Sequence, residues 1–144
     1  MLFTIMRSLV LMVLCTFVLG VAAQQDVKFV VLSVKLPRGI VPTQGSWSPS
    51  TNDVAKAEGS ISQIASLKAN YASPHIDHPE QYFRQYVPIR QRGRNLFYIN
   101  AFCDAPNYWR TQVVIVTDGG DYYWQALYDP ATDRYSDLTI NGRA

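Results

Sequence analysis

The sequence predicts an α+β domain with one main helix packed on a four- to five-stranded antiparallel meander sheet. Between Val54 and Tyr71, apolar residues recur at steps of three or four, which lines one face of a helix. Between Tyr82 and Ile140, aromatic and β-branched residues are divided by four turn signals, a pattern typical of sequential antiparallel strands. The length of 144 residues suits a single domain that buries its own core.

Residues 1–23 have the order of a secretory signal peptide. One cation, Arg7, precedes an apolar run, and the run ends in the small residues Val21, Ala22 and Ala23. The run is shorter than the roughly 20 apolar residues that a spanning helix needs. We therefore expect residues 1–23 to be removed and the protein to be exported to the periplasm or secreted, without a transmembrane anchor after cleavage.

Cleavage would leave twelve Lys and Arg against eleven Asp and Glu, a charge of +1. This balance gives no global attraction for polyanions, so nucleic acid is not an expected partner. Cys15 would leave with the signal peptide, and Cys103 would then have no partner for an internal disulfide. Since Cys103 ends an apolar run, we interpret it as a buried thiol rather than a nucleophile.

Residues 24–49 are predicted to form an N-terminal strand and a loop. Apolar and polar residues alternate over Asp26–Leu36, which favours a strand, although the same segment could extend as an N-terminal arm. The following residues are rich in Pro, Gly and Ser, which is typical of a loop. Trp47 is expected to anchor that loop to the body of the domain.

Residues 50–144 are predicted to form the α+β domain itself. Ser50 and Asp53 have the spacing of a capping box, which starts the helix. Pro88 cannot donate to a ladder, so the strand that contains it is expected at a sheet edge or with a bulge. The strands after the helix are predicted at Tyr82–Arg90, Asn95–Cys103, Arg110–Thr117, Tyr122–Tyr128 and Arg134–Ile140.

This element order, a helix followed by a curled antiparallel meander, resembles the cystatin-like and NTF2-like folds. The segment Trp109–Ala144, with its Asp118-Gly119-Gly120 turn and its ending Asn141-Gly142-Arg143-Ala144, is similar to small exported bacterial proteins of unassigned function. The resemblance implies a fold class and export. Because such folds host enzymes, inhibitors and binding modules alike, function has to be argued from a site.

Two weak constellations suggest chemistry, and for both we favour a structural interpretation. His75, Asp77 and His78 share a Pro-flanked loop and could donate to a metal, but their spacing matches no metal motif, and we predict no metal site. Either histidine could also act as base to Cys103, with Asp77 or Asp104 orienting the ring. Nothing in the sequence brings these segments together, so we predict neither catalytic residues nor a cofactor.

Two surfaces are candidates for ligand binding. Four arginines within eleven residues, on a predicted hairpin with no acidic side chain, could grip phosphate groups or else serve as solvated charge. On the fourth predicted meander strand, three rings of one parity could form an aromatic face if that side of the sheet is open. The candidate residues are Arg84, Arg90, Arg92, Arg94, Tyr122, Trp124 and Tyr128.

We therefore predict an exported, non-enzymatic binding or interaction protein whose partner is a protein, a glycan or an envelope component. The alternative is a small NTF2-like enzyme with a pocket between helix and sheet that shields a base such as Asp104 or His78. The enzyme requires a deep polar cavity under the helix. The binding protein requires a filled core and an exposed binding surface.

Overall fold

The computed structural model describes residues 27–69 and 75–142. The predicted signal peptide and the predicted helix end at Tyr71 lie outside the described residues. The elements, in chain order, are β1 Phe29–Val31, α1 Thr51–Gly59, β2 Phe83–Gln91, β3 Arg94–Phe102, β4 Tyr123–Asp129 and β5 Arg134–Ile140. One main helix and a five-stranded sheet confirm the α+β class.

The main helix begins where the sequence predicts but ends earlier. The Ser50 hydroxyl accepts a hydrogen bond from the Asp53 amide at 3.2 Å, and the Asp53 carboxylate accepts from the Ser50 amide at 2.8 Å, which completes the capping box. After Gly59, the chain continues as a 3₁₀ segment, Ile61–Ser66. Ala57, Ile61 and Ile64 are buried, so the apolar spacing serves the core in both segments.

The sheet has the order β1-β2-β3-β4-β5. Strands β2 to β5 form the predicted antiparallel meander. β1 pairs with β2 in parallel, so the sheet is mixed and the prediction of a purely antiparallel sheet is wrong. A parallel pair needs a long crossover, and the chain between β1 and β2, which includes α1, supplies it. β1 is also much shorter than the predicted strand Asp26–Leu36.

Pro88 lies at a gap on the outer side of β2. The Leu32 amide donates to the Tyr86 carbonyl at 2.9 Å on one side of the gap, and the Arg90 amide donates to the Gly45 carbonyl at 2.8 Å on the other. Between them, the Ser46 hydroxyl donates to the Pro88 carbonyl at 2.9 Å. Because proline has no N–H, the gap leaves no donor unpaired. β2 is thus not the edge strand that was expected, because β1 pairs with its first half, but Pro88 itself lies beyond β1 at a gap in the pairing.

The predicted strand Arg110–Thr117 is wrong: residues 103–119 cross one face of the sheet as a loop. A row of side-chain amides on β2, on β3 and in the chain after β5 binds this loop, and the amide of Gln125 on β4 connects them. Gln85 donates to the carbonyls of Trp109 and Gln112, and its oxygen accepts from the Val114 amide at 3.0 Å. Asn100 donates to the Val114 carbonyl, and Asn141 donates to the carbonyls of Val116 and Asp118. Gln125 lies between them and donates to the Asn141 side chain.

The two faces of the sheet have different covers. The helix and the 3₁₀ segment cover the face that carries Trp124 and Tyr128, which belong to the main core cluster. Trp47 closes this core at one end: its ring contacts Phe97 with centroids 5.1 Å apart, and its Nε1 donates to the Leu96 carbonyl at 2.8 Å. This confirms the predicted anchor.

The second face is only partly covered. Leu32 and Leu36 lie over its first strands, and Trp109 and Val114 of the 103–119 loop pack on Phe102. Within residues 27–69 and 75–142, no helix has the length and apolarity needed to cross a membrane.

Candidate ligand-binding cleft

The three predicted rings do not form an open aromatic face. Trp124 and Tyr128 are fully buried under the helix, whereas Tyr122 is 62% exposed and lies in a 3₁₀ segment before β4. The even-numbered residues of β4, Trp124, Ala126 and Tyr128, face the helix and fill the main core cluster. Alternation along the strand showed which residues share a face, but not which face the helix covers.

The four predicted arginines also separate. Arg84 is 4% exposed and faces the helix, while Arg90, Arg92 and Arg94 are exposed at the far end of the β2–β3 hairpin. Arg90 donates to the Asn95 side chain at 3.2 Å. Only the hairpin end is thus available to a ligand, and the prediction that Arg84 belongs to this surface is wrong.

Arg84 is instead the centre of a buried polar network that fastens α1 to the sheet. Its guanidinium binds the Glu58 carboxylate in a bidentate pair, with distances of 2.9 and 2.7 Å. It also donates to the carbonyls of Pro79, Glu80 and Tyr82. Burial acts to lower the pKa of Arg84, but the hydrogen bonds and charge of Glu58 raise it above its ordinary value overall.

Two phenols complete the network. The Tyr86 hydroxyl donates to Glu58, and the Tyr135 hydroxyl donates to the Ala57 carbonyl at 2.8 Å. Burial, together with neighbouring Tyr135 and Glu58, raises the pKa of Tyr86 well above its ordinary value. Both phenols are buried in the main core cluster. The network therefore satisfies its own polar groups and serves the packing of α1.

A cleft of about 360 Å³ opens on the second face of the sheet, between the hairpin end and β5. Residues 40–42 form one wall, and side chains of β3, β4 and β5 form the floor. Gln91 holds the wall in place by donating to the Pro42 carbonyl at 2.9 Å. The volume is within the range of small-ligand sites. The lining includes Ile40, Val41, Arg92, Arg94, Tyr98, Gln125, Leu127, Asp137 and Thr139.

Two of the residues that line this cleft have a backbone conformation that normally favours glycine or asparagine. Arg92 has φ 51° and precedes Gly93 at φ 75°, the pattern of a two-residue type I′ hairpin turn. Asp137 has φ 53° and lies in a β-bulge, where Asp137 and Leu138 face Ala126 between two regular pairs. Residues held in such conformations are often found at functional sites.

Tyr98 places an unpaired hydroxyl at the cleft. The residue is only 8% exposed, and its hydroxyl makes no hydrogen bond to any described residue. Burial raises the pKa of this phenol, so it stays neutral at physiological pH. A neutral phenol both donates and accepts, and a ligand in the cleft would give it the partner that the described residues do not.

The charges of the cleft are of both signs. Arg94 pairs with Asp129 at 3.2 Å, so its charge is largely balanced. Arg92 forms no ion pair with any described residue, and Asp137 accepts only from the neighbouring Ser136 hydroxyl at 2.9 Å. Among the described residues, the cleft thus presents one uncompensated cation, Arg92, at the hairpin end and one uncompensated carboxylate, Asp137, at β5.

A second cavity, of about 560 Å³, lies between residues 33–36 and 43–46. Two of its polar side chains already bond to the nearby backbone: Thr43 donates to Gly45 and Ser46 donates to Pro88. Lys35 is the one charged residue among the described residues that line it. It offers a ligand fewer polar contacts than the first cleft, which is therefore the better candidate.

The histidine and cysteine candidates are not drawn together. His75 and His78 are exposed, and His78 contacts Glu80 at 3.4 Å. Burial raises the pKa of Cys103, and Asp104 and Asp121 add to this effect against the opposing hydrogen bond of Tyr82. The thiol is thus protonated at neutral pH. Among the described residues, no group of three His, Cys, Asp or Glu side chains is arranged to hold a metal.

Replacing Arg92 with asparagine is expected to raise the free energy of unfolding by about 1 kcal/mol. The reason is that asparagine adopts the left-handed backbone conformation at lower cost than arginine, and the Arg92 side chain makes no hydrogen bond to a described residue that would be lost. Urea denaturation measures the change. The exposed loop substitution Arg38→Asn is the control and should have no effect. A loss of stability in Arg92→Asn would contradict the interpretation of its backbone.

No protein-family model, curated protein or solved structure significantly matches this chain. The similarity to cystatin-like and NTF2-like folds and to small exported proteins therefore stays a prediction. The function has to be inferred from the α+β fold and the cleft alone.

Proposed function

We propose that this protein is an exported, non-enzymatic binding protein whose ligand site is the cleft between the hairpin end and β5. The N-terminal sequence supports export. The observation that carries the binding site is the Tyr98 side chain, which is 8% exposed, lines a cavity of ligand size and presents there a hydroxyl that makes no hydrogen bond to a described residue.

The groups in the cleft are suited to holding a ligand. Leu127, Ile40 and Val41 offer apolar contact. The Tyr98 and Thr139 hydroxyls can donate or accept hydrogen bonds, and the side-chain oxygen of Gln125 can accept them. A small number of polar groups on an apolar floor is the usual composition of a small-molecule site. This cleft replaces the aromatic face as the site of binding.

Three observations favour binding over the NTF2-like enzyme. The interface between helix and sheet holds a packed core, including Tyr86, Phe97 and Trp124, and the two described cavities lie elsewhere. Asp104 and His78, the bases predicted for such an enzyme, are exposed. The polar network under the helix is committed to Glu58 and Arg84.

Backbone amide shifts in NMR spectra test the proposal. We expect at least one compound, in a mixture of amino acids, tripeptides, sugars, sugar phosphates and dicarboxylic acids, to shift the amides of Arg92, Tyr98, Leu127 and Asp137. Amides beside the second cavity, such as Leu36 and Thr43, serve as the internal control. Shifts confined to those control amides, or no shift with any compound, would contradict the proposed site.

A further inference from the structure

We propose that the ligand of the cleft is a short zwitterionic peptide of about three residues, with its carboxylate on Arg92 and its ammonium on Asp137. This inference rests on the proposed function and specifies its ligand. It follows from the charges of the cleft, from their separation and from the chemistry of the floor between them.

The charges favour a ligand that carries both signs. Since Asp129 compensates Arg94, the described residues that line the cleft offer a ligand one cation, Arg92, and one carboxylate, Asp137, that have no ion-pair partner among them. A purely anionic ligand would be attracted by Arg92 but repelled by Asp137. A purely cationic ligand would be attracted by Asp137 but repelled by Arg92. Only a dipolar ligand finds a favourable partner at each end, so the arrangement selects by repulsion as well as attraction.

The separation of these charges sets the length of the ligand. Arg92 lies in the turn that leads into β3, and β4 lies between β3 and β5, so the two charged residues are at least about 10 Å apart across the sheet. Asp137 lies near the level of Ile99, five residues along β3 from Arg94, and Arg92 lies in the turn just beyond Arg94, so the two backbones are at least about 17 Å apart along the strand. Arg92 and Asp137 both line the cleft, so extended side chains at the two positions could cover part of this separation. An extended tripeptide, at roughly 3.5 Å per residue, spans about 10 Å and suits the remaining gap.

The floor between the charges matches a peptide backbone. A peptide presents N–H donors and C=O acceptors in sequence. The Tyr98 and Thr139 hydroxyls can pair with either, and the side-chain oxygen of Gln125 can accept from an N–H. Leu127 and the wall residues Ile40 and Val41 provide apolar surface for a side chain. An apolar central residue is therefore favoured, and Ala-Leu-Ala is a suitable test peptide.

Calorimetric titration with three forms of this peptide tests the proposal: free Ala-Leu-Ala, its N-acetyl form and its C-terminal amide. We expect free Ala-Leu-Ala to bind and each blocked form to bind at least tenfold more weakly. Asp137→Asn should weaken the free peptide by a similar factor and remove the further effect of acetylation. Arg92→Asn should do the same for the amide.

Both substitutions suit the left-handed backbone at their positions, so the variants are expected to fold. Arg38→Asn is the control and should bind like the parent protein. Equal binding of free and blocked peptides, blocking effects that persist unchanged in both variants, or no binding of Ala-Leu-Ala would overturn the inference. If another compound still shifts the cleft amides, only the peptide assignment fails. If none does, the proposed function fails too.

Discussion

Replacing Glu58 with alanine is expected to lower the free energy of unfolding by about 3 kcal/mol, because Arg84 would remain buried without its counter-charge. The substitution removes both bonds of the bidentate pair and the acceptor of the Tyr86 hydroxyl. Urea denaturation followed by circular dichroism measures the change. The helix should also detach more readily, since this network joins α1 to β2.

Glu80→Ala is the matched control for Glu58→Ala. Glu80 is also a glutamate that contacts a basic side chain, but that side chain is the exposed His78, so its loss should cost less than about 0.5 kcal/mol. Equal destabilisation by the two substitutions would contradict the role assigned to the Glu58–Arg84 pair.

Replacing Gln85 with leucine is expected to cost roughly 3 kcal/mol, because a side chain of similar size would leave several buried polar groups unpaired. The carbonyls of Trp109 and Gln112 would lose their donor, and the Val114 amide would lose its acceptor. Since this row of amides holds residues 103–119 on the sheet, the loop should also become sensitive to protease.

Denaturation and limited proteolysis together test this prediction. Gln112→Leu is the control, because Gln112 is exposed and contributes only its main-chain carbonyl to the network. Cleavage within 103–119 should accelerate in Gln85→Leu and stay at the parental rate in Gln112→Leu. Parental stability and parental cleavage in Gln85→Leu would show that the amide row does not hold the loop.

The sequence predicts correctly those parts of the fold that depend on interactions between residues close together in the chain. Ser50 and Asp53 are three residues apart and begin the helix through their own hydrogen bonds. The turns at residues 91–94 and 129–134 also act locally and define two hairpins of the meander. Such features depend little on distant segments, so a pattern in one stretch is sufficient.

The errors arise where distant segments decide the structure. The β-branched run Val113-Val114-Ile115-Val116 has the composition of a strand, but side-chain amides from Gln85, Asn100 and Asn141 take its hydrogen bonds in place of a neighbouring strand. The parallel pairing of β1 depends on where the chain returns after α1, which composition does not specify. A high β-propensity indicates that a segment fits a half-buried, pleated surface, but it does not specify which segment will pair with it.

The candidate site was predictable only in part. Arg92 and Arg94 are visible as charges on a hairpin, but Arg84 has the same composition signal and is buried by its position on the helix-facing side. Tyr98 and Asp137 were missed. Alternation places Tyr98 on the same face as Leu96, but no sequence signal marks its hydroxyl as unpaired. The β-bulge that contains Asp137 is visible only in the pairing register of β4 and β5.

The central claim is that the cleft binds a small ligand through Arg92, and one measurement tests it most directly. Amide shifts of the Arg92→Asn variant are recorded with the same compound mixture and compared with those of the parent protein. We predict that the variant, although about 1 kcal/mol more stable, loses the ligand-induced shifts at Tyr98, Leu127 and Asp137. Undiminished shifts at these three residues would contradict the claim.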